Sequence, residues 1–286
     1  MESIRALLAG IVDYAGLFPP ATLDMEGAVR RYAAYRSGQH AWALARFVVP
    51  VARLAEFGTA AAGLAPGQGP WRLSAVAGPD VESDLARIVE FNRRVEAVIE
   101  AVEIKASGPE QIRMASRAIP STLEAYFEVP IANPWLEAIR EGGARAKVRT
   151  GGVTPDLFPS SVELARFLGA GHSAGVAFKA SAGLHHAVRS VHPLTYEPDA
   201  PAGKMHGFLN VFLAAAFVRA GMEVEEAATL LDEESPEAFR FDAGAAWRDY
   251  RLDAASLQSA RQSFAGSFGS CSFEEPIQDL QALRLL

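Results

Sequence analysis

Lysine is scarce in this chain. Four of its 27 basic residues are lysine (Lys105, Lys147, Lys179 and Lys204) and arginine supplies the rest. Arginine has taken the generic surface positions. The remaining lysines are therefore candidates for work a guanidinium cannot do, above all losing a proton to become a nucleophilic amine. Cysteine is scarcer still. Cys271 stands alone, which excludes an internal disulfide and any multi-cysteine metal site. No block of like charge interrupts a chain of net charge −7 and pI near 5.5. That argues against a nucleic acid or an acidic membrane as partner and favours a small molecule. Long apolar runs are also missing. The most apolar window, Phe208–Val218, is too short to span a bilayer. The opening MESIRALLAGIVDYAG lacks the basic and then apolar pattern of a signal peptide, so a cytoplasmic protein is expected.

What is present is an alternation. Short buried-strand patterns occur at 46–50, 71–78, 98–106, 123–130, 144–151 and 175–181, with GIVDYAG (10–16) as a seventh candidate and the eighth unplaced. Between them, 82–94, 109–118, 134–141 and 160–168 carry apolar residues at helical spacing, several opening on proline or serine. A repeat of about 20 to 30 residues from strand to strand is the pattern of β/α units on a parallel sheet. The strands are two-faced: Val102 and Ile104 oppose Glu103 and Lys105, and Phe178 opposes Lys179 and Ser181. Polar groups gathering on one face at strand ends fit a closed (β/α)8 TIM-barrel-like α/β fold better than an open sheet covered on both sides. After residue 186 the pattern weakens. Helices are expected at 206–220, 223–233 and 253–265, a hairpin at 239–252 around Asp242-Ala243-Gly244, and a loop over the tail FGSCSFEEP. One barrel domain over 1–286 is expected, with 206–286 an extra helical part that leaves the barrel irregular or forms an appendage. A loop is expected at Ala62–Gly69.

Lys147 and Lys179 end two such strands, each followed by a glycine-containing turn. On neighbouring strands their stems would enter one barrel mouth about 5 Å apart at the backbone. Mutual repulsion and burial would then lower the pKa of both and prepare one for attack on a carbonyl. Arg149 shares the face of Lys147 and could hold an anionic substrate group.

The two motifs, Lys147-Val-Arg-Thr-Gly-Gly and Phe-Lys179-Ala-Ser-Ala-Gly, resemble the paired lysine motifs of the deoxyribose-phosphate aldolase family. That family runs Lys-Thr-Ser-Thr-Gly and, one β/α unit later, Val-Lys-Ala-Ser-Gly-Gly. The intervening VTPDLFPSSVELARFL is also similar to the family's turn and helix. The resemblance spans the stretch 144–186. It implies a TIM barrel and metal-free class I aldol chemistry, with Lys147 as the Schiff-base lysine and Lys179 as the lysine that lowers its pKa. Glu103, then Glu128, is the nearest candidate for the family's acid. Leu184-His185-His186 stands where the family has a glycine-rich phosphate-binding turn, so a phosphosugar is not expected.

A carbon–carbon lyase acting on a small carbonyl compound is the leading expectation. Glu103, Glu128 and His185 are its proton-transfer candidates, and Arg149, Lys105, Ser181 and His186 its substrate-binding candidates. No cofactor is expected. An alternative is a divalent metal on Glu103, Glu128 and the histidines His172, His185, His186, His192 and His206, serving a lyase or hydrolase. A second alternative is a structural ion-pair ring of the lysines with Glu103 and Glu128, in a barrel that binds a small anion without reacting. Lys105 is equally read as a surface residue and Lys204 as solvated. Asp13-Tyr14-Ala-Gly-Leu-Phe-Pro-Pro reads as a lid or an N-terminal plug. Cys271 becomes a nucleophile only if a histidine meets it in space. Homo-oligomerisation is left open.

Overall fold

A computed structural model describes residues 2–64, 69–93 and 96–286. Residues 65–68 of the expected Ala62–Gly69 loop, and Arg94 at the end of the expected 82–94 helix, lie outside the described residues.

Eight parallel strands close into a barrel. In chain order, β1 is Val12–Tyr14, β2 Leu44–Pro50, β3 Trp71–Val76, β4 Ala97–Lys105, β5 Glu124–Glu128, β6 Arg145–Arg149 and β7 Phe178–Ser181. An antiparallel pair follows, β8 Ser190–Pro193 and β9 Ala202–Met205. Next comes a three-stranded antiparallel sheet of β10 Phe239–Phe241, β11 Gly244–Trp247 and β12 Tyr250–Asp253. The last barrel strand is β13, Ala265–Ser270, which seats between β7 and β1. The fold is thus a (β/α)8 TIM barrel with extra C-terminal sheets and helices.

The six strands expected with most support are present within a few residues, and GIVDYAG supplies β1. The helix Pro109–Ala118 falls where its pattern placed it. The structure corrects the C-terminal reading. The helix expected at 253–265 stops at Ser263, and FGSCSFEEP is not a loop. Its first residues complete β13 and its last ones open the helix Glu274–Ala282. A strand written AGSFGS lacks the β-branched residues that mark strands, because its inward positions, Ser267 and Gly269, must stay small beside the charged groups of the lumen. The expected 239–252 hairpin gains a third strand, with its turn at Asp242-Ala243-Gly244.

Packing outside the barrel follows the alternation of the strands. Phe127, Val148, Phe178 and Phe268 are fully buried on the helix-facing side. Phe178 meets Phe167 edge-on at 5.6 Å and Phe264 at 5.3 Å between ring centres. The helix Phe208–Arg219 is buried all round up to Val218, the reason its sequence shows no polar face. Its one polar interior residue, Asn210, is fully bonded. It accepts from the Arg189 backbone N–H and donates to the carbonyls of Leu230 and Glu233. Among the described residues no helix is long and apolar enough to cross a membrane.

The lumen carries ion-paired clusters at both ends. At its N-terminal end Arg46 pairs with Glu100 and Glu124, Arg72 with Glu100, and Arg145 with Glu124. The lysines lie at the opposite mouth.

Candidate active site

Lys147 and Lys179 are register partners on the adjacent strands β6 and β7. Both point into the lumen because their neighbours Val148, Phe178 and Ala180 are buried on the opposite face. Glu103 on β4 reaches between them. Its Oε2 accepts from Lys147 Nζ at 2.8 Å and its Oε1 from Lys179 Nζ at 2.7 Å. Lys147 also donates to Glu128 Oε2 at 2.8 Å, and Lys179 to Asp13 Oδ2 at 2.5 Å. The groups alternate in sign along the row Glu128, Lys147, Glu103, Lys179, Asp13. Ser74 Oγ donates to Glu103 Oε1 at 2.6 Å and Ser267 Oγ to Asp13 Oδ2 at 2.6 Å, while the Arg46 backbone N–H donates to Asp13 Oδ1 at 3.0 Å. Beneath the row, the Tyr126 ring centre lies 5.2 Å from Lys179 Nζ.

This arrangement corrects the expectation that the two ammonium groups depress each other's pKa. Burial works to lower both, but the carboxylates outweigh it. Glu103 and Glu128 hold Lys147 above its ordinary value, and Asp13 and Glu103 hold Lys179 well above. Burial would likewise raise Glu103, yet the two lysines hold it far below the usual carboxylate range. Like charges at strand spacing are tolerated because an opposite charge sits in the gap.

The two lysines differ in access. The Lys179 side chain is 1 % exposed and that of Lys147 12 %. Lys147, Glu103 and Glu128 lie in the wall of a cavity of about 360 Å³, within the range of small-molecule sites. Its remaining walls are largely apolar, with Phe18, Pro20, Val153, Leu157, Leu194 and Met205 among them. Two of the three N–H directions of Lys147 are taken by carboxylates, which leaves one nitrogen position uncommitted.

The other expected residues divide. Arg149 and Ser181 line the cavity, and Arg149 has no carboxylate partner among the described residues. Lys105 is exposed and lines, with Arg149, an adjoining cavity of about 450 Å³ that shares Glu128 and Leu157 with the first. His185 lies in the wall of the main cavity, its Nδ1 2.6 Å from Glu275 Oε2 and its Nε2 3.9 Å from Cys271 Sγ. His186 turns instead to Asp279 Oδ2 at 3.2 Å and stacks on His192 with ring centres 3.3 Å apart. The other metal donors stay scattered. His172 packs edge-on against Phe264, and His206 bonds the Pro159 carbonyl. Among the described residues no group of three or more His, Cys, Asp or Glu could hold a metal ion. Lys204 lies on β9 and pairs with Glu234 at 2.5 Å.

Asp13 is the residue that the sequence reading missed. The sequence pattern groups it with the following turn, which reads as a lid or plug. Phe18, Pro19 and Pro20 do border the cavity, but Asp13 is fully buried beneath it. The available signal was an acid inside the apolar run GIVDYAG, since a buried carboxylate needs a cation or donors.

No known protein family has a model that matches the chain, and no curated protein matches it. Fold and side chains together define a β/α barrel whose C-terminal mouth holds a cavity floored by an ion-paired lysine.

Proposed function

We propose that the protein is a carbon–carbon lyase of the class I aldolase type, acting on a small carbonyl compound through a Schiff base on Lys147. One observation carries this reading: of the two lysines that border the cavity, Lys147 is the more accessible, and the carboxylate of Glu128 is bonded to it there. The resting amine is charged, so the reaction begins with its proton passing to a carboxylate. Glu103 is the poorer acceptor, because its two oxygens hold both ammonium groups and Ser74. Lys147 is the one ion-pair partner of Glu128 among the described residues, and Glu128 borders the cavity. Glu128 therefore serves as the proton acceptor.

The neutral amine attacks the carbonyl carbon and gives a carbinolamine. Glu128 returns the proton to the departing hydroxyl, and water leaves an iminium. Glu128, again ionised, takes the proton from the β-hydroxyl. The Cα–Cβ bond breaks, its electron pair passes to the iminium nitrogen, and an aldehyde and an enamine result. Glu103 stays anionic beside the iminium and stabilises its charge, because Lys179 keeps that carboxylate ionised. Lys179 acts through Glu103. By sharing that carboxylate it weakens the hold of Glu103 on the Lys147 proton. Arg149, unpaired at the rim, fits an anionic group on the substrate.

The test is borohydride trapping with a panel of small aldehydes and 2-oxo acids. A mass increase on the peptide bearing Lys147, absent in Lys147→Ala, is the expected result. No adduct with any member of the panel, or an adduct that persists in Lys147→Ala, overturns the reading. A second reading is favoured by the ion pairs themselves. With both ammonium groups matched, the barrel could hold a small anion at Arg149 without reacting. Binding of small carboxylates that Arg149→Gln abolishes, with no trapped adduct, would support it.

A further inference from the structure

The lysine chemistry leaves unused the part of the cavity wall that follows β13, the strand beside β7. The next inward position beyond β13 is Cys271, 6 % exposed. Its sulfur is approached by His185 Nε2 at 3.9 Å and by the Tyr196 hydroxyl at 3.6 Å. The far nitrogen of the same imidazole, Nδ1, lies 2.6 Å from Glu275 Oε2. Glu275 is in the first turn of the helix Glu274–Ala282, which begins three residues after Cys271. Thiol, imidazole and carboxylate thus form a chain of contacts, with His185 meeting two residues that lie four apart in sequence. With Nδ1–H given to Glu275, the ring presents Nε2 to the sulfur, the orientation in which an imidazole exchanges a proton with a nucleophile. Burial would lower the His185 pKa, but its bonds to Cys271 and Glu275 prevail and hold it at about 9. A cysteine kept only for packing needs neither an oriented imidazole nor a place in a cavity wall.

We infer that Cys271, His185 and Glu275 form a second reactive centre in this cavity, a thiol nucleophile that accepts the acyl group of small apolar esters or thioesters. The sulfur, its proton already held by His185, attacks the acyl carbon. The bond to the leaving alcohol or thiol breaks, and His185 hands that proton to it. Water, deprotonated by His185, then attacks the acyl-sulfur bond, releasing the acid and restoring the thiol. The apolar wall around Phe18, Leu194 and Met205 accommodates the acyl chain. Glu275 orients His185 and does not touch the substrate. None of this depends on the Schiff-base reading, and borohydride trapping at Lys147 reports that reading separately.

The probe is 4-nitrophenyl acetate with the full chain. The expected result is a burst of nitrophenolate stoichiometric with protein and an acetyl group on the peptide bearing Cys271. Cys271→Ala should lose both. The near-isosteric Cys271→Ser guards against misfolding and should react at least tenfold more slowly. Iodoacetamide alkylation of Cys271 supplies a readout that packing alone would not move. Its rate at neutral pH should fall at least tenfold in His185→Gln. A burst that survives in Cys271→Ala, acetyl found only on other residues, or equal alkylation rates for wild type and His185→Gln would each overturn the proposal.

Discussion

Lys179 is one of the largest fully buried side chains in the molecule, and it is charged. Replacing it by methionine removes the cation shared by Asp13 and Glu103, leaving Asp13 without its ion pair and Glu103 with Lys147 alone. Breaking one side of a buried pair costs roughly 3–5 kcal/mol, so urea denaturation of Lys179→Met should show a loss of that order. Lys147→Met should cost less, since its partner Glu128 can turn to solvent. Trapping at Lys147 should also slow in Lys179→Met, because Glu103 would then hold the Lys147 proton more tightly. Adding Asp13→Asn restores the charge balance and should recover part of the stability. An unchanged denaturation midpoint in Lys179→Met would contradict this account of the row. His185 makes a separate prediction. Its pKa is near 6.5 in the unfolded chain and about 9 in the folded protein. The associated stability is fully present below about pH 6.5 and is lost as pH rises through about 9. Denaturation in that window should therefore show a falling stability that His185→Gln lacks.

At the scale of elements, the unit from β6 to β7 sets the site. Ser160 caps the helix Ser161–Ala174, accepting from the Glu163 backbone N–H while the Glu163 carboxylate accepts from that of Ser160. Gly175, at φ 66°, ends the helix in the left-handed region before β7 begins. The turns after the two lysines meet. A Cβ built on Gly183 would lie 2.8 Å from Gly151 Cα, and Gly183 has φ +76°. Gly183→Ala should therefore cost roughly 1–3 kcal/mol in urea denaturation and slow trapping at Lys147, because the turn must move away from the site. Ser160→Ala should cost about 1 kcal/mol and leave trapping unchanged. Equal effects of the two substitutions on trapping would show that the glycine contact does not position the lysine strands.

Over the whole molecule, the barrel is closed by its last strand, and the strand pairs with the first. Deleting residues 265–286 removes β13, exposes the edges of β1 and β7, and takes away Ser267 from Asp13. Such a chain should lack a cooperative unfolding transition by circular dichroism. The charged lumen also sets the response to acid. Glu100, Glu103 and Glu124 are all held below the ordinary carboxylate pKa by their cationic partners, against the opposing effect of burial. A depressed folded pKa contributes stability that is present above the unfolded value of about 4.3 and is lost as pH falls below it. Thermal midpoints should accordingly drop steeply below about pH 4, more so than in Glu103→Gln.

The sequence by itself determined the β/α alternation, the two-faced strands and the shared direction of Lys147 and Lys179, because each follows from local period and neighbours along the chain. Glu103 and Glu128 were legible as partners for the same reason: they occupy inward positions near the ends of adjacent strands. The strand that closes the barrel was not legible, since β13 is built of small residues whose strand state is imposed by β7 and β1 on either side. Nor was the sign of the electrostatics. Counting lysines predicted mutual repulsion, whereas Asp13, 166 residues from Lys179 along the chain, and Glu103 reverse it at the mouth. The meeting of Cys271 with His185 and Glu275 belongs to the same class. Charge and proton transfer act over a few ångströms in space, so only the tertiary structure could decide them.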